Sequence, residues 1–157
     1  FGVSSRFWPN WDGWPVVEEY LATHKKVNQD ELFKILEPKL KTFYKKNFWD
    51  ICKADEMPSG IDTYLMTAAI HNNHIPACKL LQEAVGLPKN QRDGKVGPAT
   101  IMAVREATYA LKGHLNTLEK LHELLVEKYD EDNNIREDGF INRAKLAYKF
   151  ALSLIPR

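Results

Sequence analysis

The stretch Leu65 to Val104, LMTAAIHNNHIPACKLLQEAVGLPKNQRDGKVGPATIMAV, limits this chain to short helices joined by tight turns. Pro76 suits the first turn of a helix, where its missing N–H costs nothing. Ala77, Leu80, Leu81, Ala84 and Val85 recur at i, i+3, i+4, i+7 and i+8, which predicts a helix with one apolar face. Gly86 stops that helix in the position that takes a left-handed backbone. The polar loop from Pro88 ends in Asp93-Gly94, a strong turn signal. Gly97-Pro98 then restarts a helix with Ile101, Val104 and Thr108 on one face. Read alone, this is a compact helical module with a rigid glycine turn.

The flanking sequence reads the same way. Val16 to Thr23 predicts a short helix, and Asn28 with Glu31 three residues on resembles a capping box. A helix follows through Leu32, Phe33 and Leu36, and Pro38 is expected to kink it or split it. Leu40, Phe43, Tyr44 and Phe48 then point inward, with Lys39, Lys41, Lys45 and Lys46 largely outward. Met57 to Gly60 is a turn, and Ile61 to Asn73 a helix whose Thr67, Ala68 and Ala69 permit close packing. The next helix runs from about Gly113 to Tyr129, with Leu115, Leu118, Leu121, Leu125 and Tyr129 as its buried stripe. Asp130 to Asp138 is an acidic connector. The last helix starts near Asp138 and turns Ile141, Ala144, Ala147, Tyr148, Ala151 and Ile155 inward. No stretch alternates with period two. The expectation is an all-α fold of about six to seven helices.

A chain of 157 residues has room for a single domain with a real core. Lys and Arg number 22 against 21 Asp and Glu, a net charge of +1, which argues against a general nucleic-acid binder. No apolar run approaches membrane-spanning length. The chain starts at Phe1 rather than methionine, so a processed, trimmed or missing N-terminus is expected, and any export signal with it. Cys52 and Cys78 are too few for a disulfide framework. One bridge in an oxidising compartment is the alternative to two buried thiols, which is the favoured reading.

LLQEAVGLPKNQRDGKVGPATIMAV resembles the L-Q-x-x-L-G … D-G-x-x-G-P-x-T-x-x-A-V signature of peptidoglycan-binding helical modules. Its place in the chain resembles the C-terminal half of the glycoside hydrolase family 108 muramidases, the phage endolysin and secretion activator group. Phe1-Gly2-Val3-Ser4 is similar to that family's Y/F-G-I-S/T. Phe48-Trp49-Asp50-Ile51 with Met57-Pro58-Ser59-Gly60 is similar to its Y-W-x-x-I … L-P-x-G. Gly139-Phe140-Ile141-Asn142-Arg143 is similar to its G-W-L-N-R-V. The resemblance implies a lysozyme-like single domain, with residues 1–60 the remainder of an N-terminal lobe and 61–157 a peptidoglycan-binding-like lobe. It implies glycan strands as the partner, no cofactor and a monomer. The site of action would be the bacterial cell wall, reached by secretion, from the periplasm or at phage lysis.

Cleaving a glycosidic bond needs a carboxylic acid held protonated at the leaving oxygen, and a second carboxylate or a positioned water on the other face of the ring. In the resembled family the acid is the glutamate of E-G-G-Y, just before the segment that Phe1 to Ser4 matches. The sequence contains no E-G-G. The expected catalytic glutamate therefore lies upstream of Phe1, or the chain binds glycan without cutting it. Glu18, Glu19 and Glu56 have apolar neighbours in sequence, but none carries a motif, and a solvated role is the plainer reading.

The resemblance implies that Phe1, Gly2, Ser4, Thr67, His71, Asn72, Asn73 and His74 line the substrate cleft. His71 stands where the family has asparagine and Thr67 where it has aspartate, while a gap would move Asn72 or Asn73 into the asparagine's role. A helix-capping role for the same Asn and His residues is equally open. His71, His74 and Cys78, with Cys52 as a fourth, also invite a zinc reading. The close cysteine pair usual in such sites is missing and Pro76 interrupts the ligand helix, so no metal is expected. The aromatics Phe1, Phe7, Trp8, Trp11 and Trp14 suit either stacking on sugars or a lid over the core. Asp93 and Thr100 are expected to bond backbone N–H groups at the following helix start, with glycan contact second.

Overall fold

The computed structural model describes residues 1–110, 112–131 and 137–155. Much of the acidic connector expected over Asp130 to Asp138 lies outside them. The described residues form seven α-helices and no strand, as the sequence pattern predicts. The helices are α1 (Trp14–Thr23), α2 (Gln29–Tyr44), α3 (Ile61–Asn72), α4 (His74–Ala84), α5 (Pro98–Tyr109), α6 (Gly113–Glu131) and α7 (Glu137–Leu154). They fall into two compact units, Phe1–Asn47 and Phe48–Arg157.

In the first unit, α1 carries Pro15 in its opening turn and α2 is capped by Asn28. The Asn28 side chain accepts from the backbone N–H of Asp30 and Glu31, satisfying two donors that the helix itself leaves unpaired. Tyr20 bridges the two helices: its hydroxyl donates to Glu31 at 3.0 Å and accepts from the Asn28 backbone at 3.3 Å. Leu32, Leu36, Leu40 and Phe43 recur at three- and four-residue steps and are all buried. Pro38 does not divide the helix, contrary to one expectation. Its ring and the Lys34 carbonyl that loses a donor both belong to exposed residues, so water can take the missing bond. The chain then widens into a π-helical turn at Lys45–Trp49.

In the second unit, α3 is the central element. Ile61, Tyr64, Leu65, Ala68 and Ala69 are fully buried, and the helix packs against α4, α6 and α7. A helix apolar on most sides has no solvent face to keep, so neighbours must surround it. Helix α4 ends as its glycine predicts, with Gly86 at φ +79°. The Leu87 N–H bonds the Gln82 carbonyl and the Gly86 N–H bonds that of Glu83, the paired closure of a Schellman cap. On α6, Leu118, Leu121, Leu125 and Tyr129 are buried but Leu115 is exposed, a correction to the expected stripe. One step of four residues back from Leu118 turns the helix by about 40°, and one of three by about 60° the other way. His114 and Thr117 therefore continue the inner face; Thr117 is buried and His114 half-buried. Ala144 and Ala151 of α7 are buried as expected, and Ile141, Ala147, Tyr148 and Ile155 are half-buried.

Candidate functional site

The first unit holds a pocket of about 450 Å³. Its wall is an aromatic loop folded by backbone turns: the Ser4 carbonyl accepts from Phe7 N–H and Trp8 N–H, and the Trp8 carbonyl from Trp11 N–H. The Trp14 indole adds a bond to the same Trp8 carbonyl at 2.7 Å. Trp8 meets Phe43 of α2 edge-on at 4.9 Å, and Trp11 meets Trp14 edge-on at 5.2 Å. Phe7 stays 73% exposed at the rim, with the Arg6 guanidinium 5.7 Å from its ring. Asn10, Asp12, Thr42, Lys46 and Asn47 supply polar lining, and Asp12 is held by Lys39 at 2.7 Å. Apolar rings interleaved with amide, carboxylate and ammonium groups form a surface for a ligand with both flat apolar faces and many hydroxyls.

Of the residues expected on this side, Phe1 packs against Phe33 at 5.6 Å and its carbonyl accepts from the Tyr44 hydroxyl at 2.8 Å. Gly2 lies under that hydroxyl, where a Cβ would sit 2.6 Å from the oxygen. Ser4 acts through its carbonyl, as the seat of the aromatic loop. The pocket residues Asn10, Asp12 and Asn47 were not singled out as ligand-binding by sequence. The aromatic density of Phe7 to Trp14 was the available signal.

In the second unit, the end of α3 meets α6 and α7 in a polar and aromatic cluster. The Asn72 amide donates to the Tyr129 hydroxyl at 2.7 Å and to the Ala68 carbonyl at 3.1 Å. Tyr129 stacks on Phe140 at 5.4 Å, His71 stands edge-on to Phe140 at 6.1 Å, and the Arg143 guanidinium covers that ring at 4.9 Å. Burial, with the Arg143 charge behind it, pushes the His71 imidazole below its ordinary pKa. Asn73 is the single joint between α3 and α4, at φ +72°, and its side-chain oxygen caps α4 at His74 N–H, 2.6 Å away. Thr67 turns its hydroxyl back to the Thr63 carbonyl. The structure thus joins His71 and Asn72 in one cluster, makes Asn73 and His74 a helix joint, and leaves Thr67 bonded to its own helix. Tyr129 and Arg143 are the partners that sequence reasoning did not assign to the site.

Glu18, Glu19 and Glu56 are exposed, and Glu56 lies 3.9 Å from the Lys53 ammonium. None has the apolar enclosure that a proton-donating glutamate needs. Among the described residues, no three His, Cys, Asp or Glu side chains are grouped to hold a metal, and no helix is long and apolar enough to cross a membrane.

The Asp93-Gly94 turn is organised by Gln82, in the last turn of α4 and buried to 1% exposure. The Gln82 amide nitrogen faces the Asp93 carboxylate at 3.0 Å, the Lys95 carbonyl at 3.1 Å and the Thr100 hydroxyl at 3.1 Å. Its oxygen accepts from Gly94 N–H at 2.9 Å. Asp93 does accept a backbone N–H, that of Lys95 at 2.8 Å, but within the turn; neither it nor Thr100 caps α5, whose N-cap Gly97 has no side-chain bond, and both also meet Gln82.

Residues 1–72 match the family model described as Glycosyl hydrolase 108, which bears out the resemblance read from the motifs at the front of the chain. No curated protein matches. Among solved structures the chain is similar to SagA of Brucella abortus, with 22% identity and a TM-score of 0.66 over 94% of this chain and 78% of that one. At that identity the likeness concerns the fold alone.

His71 and His122 give the second unit a defined pH response. Both imidazoles are depressed below the ordinary 6.5, by burial first and then by Arg143 and Lys145 respectively. The unfolded chain takes up protons first as pH falls through 6.5, so their contribution is complete above that value and is lost as pH drops through the lower folded values. The melting temperature should therefore fall below pH 6.5. In a His71→Gln/His122→Gln variant that slope should be shallower; an unchanged slope would assign the acid response to other groups.

Proposed function

We propose that the intact protein is a peptidoglycan hydrolase of the N-acetylmuramidase type, cleaving β-1,4 links of the glycan strand at the bacterial cell wall. The observation that carries this reading is the aromatic pocket with its polar lining, which lies wholly inside the segment matching the glycosyl hydrolase 108 family. Amino-sugar rings have flat apolar faces that stack on aromatic side chains, and hydroxyl and acetamido groups that pair with amides and charges. In this reading Phe7, Trp8 and Asn10 hold glycan in one unit, and His71, Asn72, Asn73 and His74 offer polar contacts in the other. The proton donor in this reading is the glutamate of the family's E-G-G-Y segment, which none of the 157 residues supplies. The protein works as a monomer and its chemistry calls for no cofactor.

Turbidity of a peptidoglycan suspension tests the proposal, with the 157-residue chain beside a version carrying the native upstream sequence. Clearing by the longer form alone supports it. A second reading, a wall-binding module that does not cut, draws on His71 and Thr67 standing where the family has asparagine and aspartate; it wins if both forms pellet with the wall and neither clears it. Phe7 separates ligand binding from folding because it is mostly exposed. Phe7→Ala should weaken co-sedimentation with peptidoglycan roughly tenfold, the loss of one stacking contact of about 1.4 kcal/mol, and leave the melting temperature unchanged.

A further inference from the structure

Cys52 and Cys78 come from separate elements of the second unit. Cys52 closes a turn through its N–H to the Phe48 carbonyl, and Cys78 sits on the inner face of α4. Their sulfurs lie 3.8 Å apart, with 0% and 1% of each residue exposed, and the Cys78 thiol points at the Cys52 sulfur. Two cysteines serving only as small apolar fillers have no reason to face each other, because any methyl-sized group fills such a space.

We propose that Cys52 and Cys78 form an internal disulfide when the chain folds in an oxidising compartment, fastening the turn that follows Phe48 to α4. Bond formation requires the sulfurs to approach to about 2.05 Å. The electron acceptor is a second disulfide, belonging to an oxidoreductase or to a small thiol compound. The Cys52 thiolate attacks one sulfur of that acceptor, forming a mixed disulfide and expelling the other sulfur as a thiolate. The Cys78 thiolate then attacks the Cys52 sulfur and releases the second thiolate. One S–S bond forms in the protein, one is reduced in the acceptor, and the two thiol protons pass to the departing thiolates. The same exchange can open at Cys78 and close at Cys52, and either order leaves the same bridge. Because both sulfurs are buried, exchange belongs to folding, before the core closes.

The bridge spans 26 positions of chain and restricts the unfolded state accordingly. The test refolds the chain from denaturant in a buffer of glutathione and glutathione disulfide, then denatures it and alkylates it without reductant. Expected are an intact mass lower by two hydrogens, no alkylated cysteine, and a peptide linking Cys52 to Cys78 in a non-reducing digest. The oxidised form should melt about 10 °C above the dithiothreitol-treated form, and a Cys52→Ala/Cys78→Ala variant should lose that dependence on reductant. Two alkylated cysteines, glutathione retained on either one, or a chain-to-chain bridge would overturn the proposal, as would equal melting of the two forms. If the double variant does not fold, the linked peptide from the wild-type chain still decides.

Discussion

Gln82→Ala is expected to destabilise the second unit by roughly 4 kcal/mol. The Gln82 side chain is the only protein group paired with the buried Gly94 N–H among the described contacts, and it faces Asp93, Lys95 and Thr100 as well. Truncation leaves a buried donor without an acceptor, at about 1–3 kcal/mol, together with a cavity where the amide stood. Urea unfolding of the two chains measures the difference. The Asp93 carboxyl is held below its usual range first by the Gln82 amide and then by the Lys95 N–H, so in the variant it should titrate closer to an ordinary aspartate in an NMR titration. A loss below 1 kcal/mol would mean that the glycine turn holds itself and that Gln82 is incidental to it.

Gln82 also marks the limit of what the sequence discloses. The helices on either side of the turn are legible because proline and glycine act locally: Pro76 and Pro98 set the opening turns, and Gly86 can take the left-handed angle at which α4 stops. Gln82 acts across 11 to 18 positions, and nothing in a local pattern separates such a residue from a solvated glutamine on the outer face. Asp93 and Thr100 were therefore assigned to the nearest helix end, the only partner a local rule offers. Leu115 failed for a related reason, since apolar character and three-residue spacing do not say which way the stripe drifts at a helix end. In the site, Asn72 reaches Tyr129 across 57 positions, and that pairing exists only once α3 and α6 are packed. The aromatic loop was visible as composition; its shape was not, because a main-chain carbonyl at Ser4 sets it.

Gly60→Ala should cost about 3 kcal/mol, where the same change at Gly86 should cost about 1 kcal/mol. Both glycines have left-handed backbones, at φ +91° and +79°, so the conformational penalty on an L-residue is similar. They differ in what a methyl group meets. At Gly86 nothing lies within 4 Å, whereas at Gly60 an added Cβ would stand 2.7 Å from the Ala151 carbonyl oxygen and 3.2 Å from the Ile155 side chain. That oxygen belongs to the backbone of α7 and cannot swing aside as a side-chain tip would, so α3 and α7 must separate or the helix start must shift. Ala151 is itself fully buried, which leaves little slack on the other side of the contact. Thermal melts of the two variants against the parent separate the terms: the Gly86 loss reads backbone strain, and the excess at Gly60 reads the close approach of α7. Equal losses would show that the approach relaxes at no cost and that only the left-handed angle requires glycine at either position.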